Sequence, residues 1–159
     1  MNADIKLLKK ICETAGAPGF EKEIRNLVEG LVKPHVDEVF TDNLGNLVAI
    51  KKGATSLKTR KRIMAAAHMD EIGFMVTHID EAGFVRFHTL GGFDPKTLTA
   101  QRVKIHGKKV IPGVMGTKPI HVMAPEERTK MPKSTDYFID TGMSKEDLEK
   151  VIEVGSPIT

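Results

Sequence analysis

The sequence has one cysteine, no tryptophan and one tyrosine among 159 residues. Cys12 alone cannot close an intramolecular disulfide, and zinc clusters built from cysteine are excluded with it. Long hydrophobic runs are missing as well. The longest strictly apolar stretch is 63–67, Ile63-Met64-Ala65-Ala66-Ala67, against the roughly 20 residues a membrane-spanning helix needs. Met1-Asn2-Ala3-Asp4 has neither a basic n-region nor an apolar h-region, so no secretory signal is read there. These absences together predict a cytoplasmic protein with no membrane partner. Charge of one sign is also scarce overall: 24 Lys and Arg stand against 21 Asp and Glu, a formal +3. One basic run does occur, KKGATSLKTRKR at 51–62, which contains no acidic residue. It reads as a solvated surface loop, with a phosphate-contacting patch as the alternative. No aromatic residue interleaves it, so base stacking has no support and no nucleic-acid partner is expected.

What is present suffices for folding. The 40% apolar content can build a packed core, and the length suits one or two compact domains. The first segment is helical by period, through Ile5, Leu8, Ile11, Cys12 and Ala15, with Asn2 as its cap. Gly16-Ala17-Pro18-Gly19 breaks it. A second helix carries Ile24, Leu27, Val28, Leu31 and Val32, has Glu21 and Glu23 near its positive end, and stops before Pro34. The period then changes. Residues 35–41 and 47–50 flank the turn Asp42-Asn43-Leu44-Gly45-Asn46 and predict a hairpin. The run 63–67 predicts a strand buried on both faces. Beyond it lie short strands at close spacing: 72–79, 84–89, 102–105, 110–115, 120–123 and 137–140. Frequent glycines separate them, which predicts a small β-barrel or sandwich. Ser144-Lys145-Glu146-Asp147 has the form of a capping box ahead of Leu148, Val151 and Ile152, and Gly155 ends that helix. The change of texture sets a domain boundary, with 1–71 an α/β portion and 72–159 a mostly β portion.

The chemistry concentrates at His68-Met69-Asp70, expected at the C-terminal end of the 63–67 strand, where ligand sites form in open α/β sheets. In extended chain, residues two apart point to the same side. A histidine that binds a metal commonly donates its second ring N–H to a carboxylate, which fixes the tautomer. A lone H-x-D is also what a hydrogen-bonded histidine at a strand end looks like. The other histidines, His35, His78, His88, His106 and His121, show no H-x-x-x-H or H-E-x-x-H spacing and read as ordinary surface or hydrogen-bonded residues. The methionines Met64, Met69, Met75, Met115 and Met123 read as core filler.

Context sharpens the H-x-D reading. Ala66-Ala67-His68-Met69-Asp70-Glu71-Ile72-Gly73-Phe74-Met75-Val76 resembles the metal-binding segment of the TET-type (tetrahedral) aminopeptidases, the glutamyl and deblocking aminopeptidase group. Further matching segments come in the family's order: Ala17-Pro18-Gly19-Phe20-Glu21, Asp42-Asn43-Leu44-Gly45-Asn46-Leu47, Gly91-Gly92-Phe93-Asp94-Pro95-Lys96-Thr97, Gly113-Val114-Met115-Gly116-Thr117-Lys118-Pro119 and Tyr137-Phe138-Ile139-Asp140-Thr141-Gly142. The resemblance spans nearly the whole chain. It implies the N-terminal portion of a co-catalytic metallopeptidase α/β domain, plus an inserted β-barrel or PDZ-like dimerisation domain. It also implies two divalent metal ions, zinc or cobalt, peptide substrates, and homo-oligomers from dimer to dodecamer. His68 would be the first metal ligand and Asp70 the residue that orients it. The family's remaining ligands and its Glu general base follow the inserted domain, and neither Glu71 nor Glu153 matches their motif. The resemblance therefore predicts an N-terminal fragment of a metal-dependent aminopeptidase, inactive by itself because one histidine cannot hold a two-metal site.

Two other classes stand beside this one. The β portion, 72–159, would serve alone as a self-associating interaction module without catalysis. A glycosidase, the activity under which some relatives have been described, needs paired carboxylates across a sugar, and no pair is singled out here.

Overall fold

The computed structural model describes residues 5–55 and 61–159, and divides into two compact units, Met1–Asp70 and Glu71–Thr159. Asn2 and the middle of the basic run lie outside the described residues.

In the first unit, α1 (Ile5–Cys12) and α2 (Lys22–Val32) form where the 3.6-residue period placed them. Lys9 and Lys10 occupy the last turn of α1, complementing the negative end of the dipole. A single 3-10 turn, Lys33–His35, follows α2, with Pro34 in its first positions, where the missing N–H costs nothing. Strands β1 (Glu38–Thr41) and β2 (Leu47–Ile50) pair antiparallel with Glu38 opposite Ile50 and Thr41 opposite Leu47. Their turn is built by Asp42. Its Oδ1 accepts from the Leu44 and Asn46 amides at 2.9 Å each, and its Oδ2 accepts from Asn46 Nδ2 at 2.9 Å. The Asn46 bonds, side chain first, hold the Asp42 carboxyl below its ordinary range. Gly45, at φ 89°, supplies the left-handed residue that the turn requires, and Arg25 Nη1 on α2 donates to its carbonyl at 3.1 Å.

The segment 61–70 departs from expectation. It forms no strand among the described residues, and Ile63 and Met64 are 93% and 88% exposed. A buried strand needs neighbours to satisfy its backbone and cover both faces. The first unit's described strands pair only with each other, so the apolar run stays uncovered and unpaired.

The second unit is a closed barrel in the order β3 (Gly73–Ile79), β4 (Val85–Leu90), β7 (Phe138–Asp140), β6 (Val110–Gly116), β5 (Arg102–His106), β8 (Pro157–Ile158). Inward and outward residues alternate most cleanly along β5 and β6. The register of β3 against β4 shifts between Val76 and His78, a bulge that bends the strand as closure requires. Val85, Ile105, Ile139 and Ile158 are wholly buried at the centre. Phe74 stacks on Phe93 at 4.5 Å and meets Phe87 edge-on at 5.0 Å. Ser144 caps α3 (Lys145–Glu149) by accepting the Asp147 amide at 3.2 Å, and Leu148 is buried against the barrel core. Gly155, at φ 95°, then turns the chain so that its amide reaches the Val76 carbonyl at 2.8 Å.

Two local expectations fail here. Residues 120–123 form a 3-10 turn, Ile120–Val122, rather than a strand. A closed barrel leaves no free edge to receive a further strand, and both Ile120 and Val122 are exposed. Strand β8, by contrast, lies beyond the helix stop at Gly155, where no strand is predicted. It pairs with both β3 and β5 and so closes the barrel.

Candidate metal centre

His68 and Asp70 lie at the end of the first unit, where exposed chain gives way to half-buried chain at Met69 and Asp70. The structure brings the two side chains together. His68 Nδ1 lies 3.0 Å from Asp70 Oδ1 and 3.0 Å from the Asp70 carbonyl oxygen. A carboxylate and a carbonyl can only accept, so Nδ1 is the nitrogen that carries the proton. In the neutral ring the lone pair is then on Nε2, the atom free to bind a metal. The His68 side chain is 85% exposed and that of Asp70 41%. A hydrogen bond this open to water contributes little to stability. Its chemical consequence is the orientation and tautomer of one imidazole.

The donor set fits one bond to a metal and no more. Among the described residues no three His, Cys, Asp or Glu side chains converge, whereas a zinc centre typically takes about three protein ligands. The other histidines sit on elements of their own. His78 and His88 lie on the barrel strands β3 and β4. His106 Nε2 is 2.8 Å from Thr159 Oγ1. His35 ends the 3-10 turn after α2, and His121 lies in the exposed turn between β6 and β7. Sequence reasoning passed over one neighbour of the pair, the buried Gly16 beside the Met69 carbonyl. A run such as Gly16-Ala17-Pro18-Gly19 signals only a helix break.

The architecture is that of the TET aminopeptidases. The TET aminopeptidase of a marine sediment Thaumarchaeota archaeon superposes with a TM-score of 0.88 at 37% identity, over 98% of this chain and 44% of that one. The TET1 peptidase of Pyrococcus horikoshii, which can assemble into a tetrahedron or a large octahedral shell, matches with a TM-score of 0.82 at 31% identity, over 99% of this chain and 46% of that one. In sequence, the lysyl aminopeptidase of Pyrococcus furiosus is 43% identical over 121 residues, 75% of this chain and 34% of the relative. Residues 45–159 match the M42 glutamyl aminopeptidase family, and the chain belongs to that family. It spans less than half the length of the relatives it matches. No helix among the described residues is long and apolar enough to cross a membrane.

Proposed function

We propose that this chain supplies the amino-terminal part of a metal-dependent aminopeptidase that removes N-terminal residues from peptides. The observation that carries the reading is the His68 Nδ1–Asp70 Oδ1 contact at 3.0 Å, which leaves Nε2 exposed and correctly protonated to bind a metal. His68 would contribute one bond to a centre of two divalent ions, zinc or cobalt, and Asp70 would hold the ring. When bound, such ions lower the pKa of water so that it attacks a peptide carbonyl near neutral pH. Asp70 keeps the His68 proton on Nδ1, and its carbonyl oxygen fixes the same nitrogen from a second direction. The remaining ligands and the general base would come from the part of the relatives that this chain does not span.

In this reading 1–71 belongs to the catalytic α/β domain and 72–159 is an inserted β module through which copies associate, from dimer to dodecamer, in the cytoplasm. The tetrahedral and octahedral particles of the Pyrococcus horikoshii TET1 peptidase support the assembly. The self-contained barrel core supports the module boundary. A second reading, self-association without catalysis, draws on that same core. Amino-acid nitroanilide hydrolysis with added cobalt or zinc separates the two. The 159-residue chain is expected to stay at background, and the protein extended to the relatives' length to turn over in a His68-dependent manner. Turnover by the 159-residue chain that is lost in His68→Ala would overturn the fragment reading. An inactive extended protein would leave the association module in its place.

A further inference from the structure

The loop between α1 and α2 is pinned to the helix it precedes. The Phe20 amide donates to the Ala17 carbonyl at 2.8 Å, and Gly19, at φ 84°, donates to Glu21 Oε1 at 2.7 Å. Gly16 and Ala17 are buried at its start. A methyl placed on Gly16 would stand 2.7 Å from Ile24 Cγ2, 3.3 Å from Ile24 Cβ and 3.5 Å from the Met69 carbonyl oxygen. Ile24 is itself 3% exposed. The overlap is with Ile24, while the Met69 carbonyl would be in ordinary contact, so a side chain at position 16 would force the loop off the buried face of α2 and the contact it makes with the backbone of residue 69 would move with it. Only a residue without Cβ lets the loop approach Ile24 so closely.

The position of that contact matters because Met69 separates His68 from Asp70. Residues 61–68 are exposed, and the chain becomes half-buried only at Met69 and Asp70. The Met69 carbonyl belongs to the peptide plane that leads into Asp70. Turning that plane moves both oxygens that face His68 Nδ1, the Asp70 carboxylate and the Asp70 carbonyl, each now at 3.0 Å. We propose that Gly16 is a positioning residue for the His68–Asp70 pair, seating the Met69 carbonyl so that the imidazole is held in one tautomer with Nε2 presented. Its significance for catalysis rests on the reading of His68 as a metal ligand.

The test is side-chain 15N NMR of the histidines in the 159-residue chain, at a pH where imidazole is neutral. In the native chain the two ring nitrogens of His68 should resonate far apart, as in a single Nδ1–H tautomer. Asp70→Ala should draw them toward the average of two tautomers. Gly16→Val should shift them the same way and Gly16→Ala less, with His106 in the barrel unmoved. Adding Ile24→Leu to Gly16→Ala removes the β-branch methyl that the new Cβ meets, and should return the signals toward native. Amide signals of the β1–β2 hairpin show that the first unit is folded. If Gly16→Val loses them, Gly16→Ala and its Ile24→Leu rescue decide. Native His68 signals in the folded Gly16 variants would overturn the positioning role and leave the metal reading standing. Native signals in Asp70→Ala, where the carbonyl of residue 70 still faces Nδ1, would show that the carboxylate does not set the tautomer and would remove the orienting role that the metal reading gives Asp70.

Discussion

The two units bury their apolar residues to very different extents. In Glu71–Thr159 the side chains of Val85, Ile105, Ile139, Leu148 and Ile158 lose all contact with water in one continuous core. In Met1–Asp70 the only buried apolar side chains among the described residues are Ala17 and Ile24, while Ile5, Leu8, Phe40, Ile63 and Met64 are exposed. Both regions form helices and paired strands where local pattern directs. The barrel closes on itself and covers its apolar faces, whereas the helices and hairpin of the first unit present theirs to solvent. Secondary structure is thus set locally in both units, but stability follows burial. On the function proposed above, the first unit's apolar faces would be covered by the part of the relatives that this chain does not span.

The comparison can be broken most forcefully inside the barrel. Ile105→Ala removes a wholly buried side chain and should cost about 2–5 kcal/mol. The one tyrosine, Tyr137, lies in the same core, so its fluorescence during urea denaturation reports this unit alone. An unchanged midpoint would mean the barrel core is not what holds the unit together.

A smaller effect is expected at the hairpin turn of the first unit, where Asp42 accepts three hydrogen bonds from Leu44 and Asn46. Its carboxyl is held below the unfolded value by the Asn46 bonds first. The stabilisation is therefore fully present above the ordinary carboxylate range and is lost as pH falls through the folded value. Hydrogen-exchange protection of the Asn46 amide should drop as the solution is acidified through that window, and Asp42→Asn should flatten the response. The same acid dependence in Asp42→Asn would assign the effect to another group.

The smallest effect should come from the exposed run. Ile63→Ser and Met64→Ser, at side chains 93% and 88% exposed, should leave stability within about 0.5 kcal/mol, while sedimentation shows less self-association of the 159-residue chain. A large loss of stability would show that this segment is packed after all.

Much of the fold can be read from local pattern because local chemistry decides it. The spacing of Ile24, Leu27, Val28 and Leu31 places α2, the Asp42–Asn46 turn places the hairpin, and Ser144 marks the start of α3. The failures are all matters of partnership. Residues 63–67 have the composition of a buried strand, yet no described strand pairs with them. Residues 120–123 have β-branched residues, yet the barrel has no edge to offer them. Pro157 and Ile158 are too few to show a period, and only their neighbours β3 and β5 make them a strand. At the site, the i, i+2 spacing predicts that His68 and Asp70 share a side of the chain. The packing of Gly16 against Ile24 and Met69 is a tertiary fact with no local signature.

The central claim is that His68 is a metal ligand and Asp70 its orienter, and metal content measured by mass spectrometry tests it most directly. The protein extended to the relatives' length should lose bound metal in His68→Ala. Asp70→Ala should retain more of it, with affinity lowered about 10–100-fold. Native occupancy in both variants would contradict the account and make the His68–Asp70 pair a surface hydrogen bond.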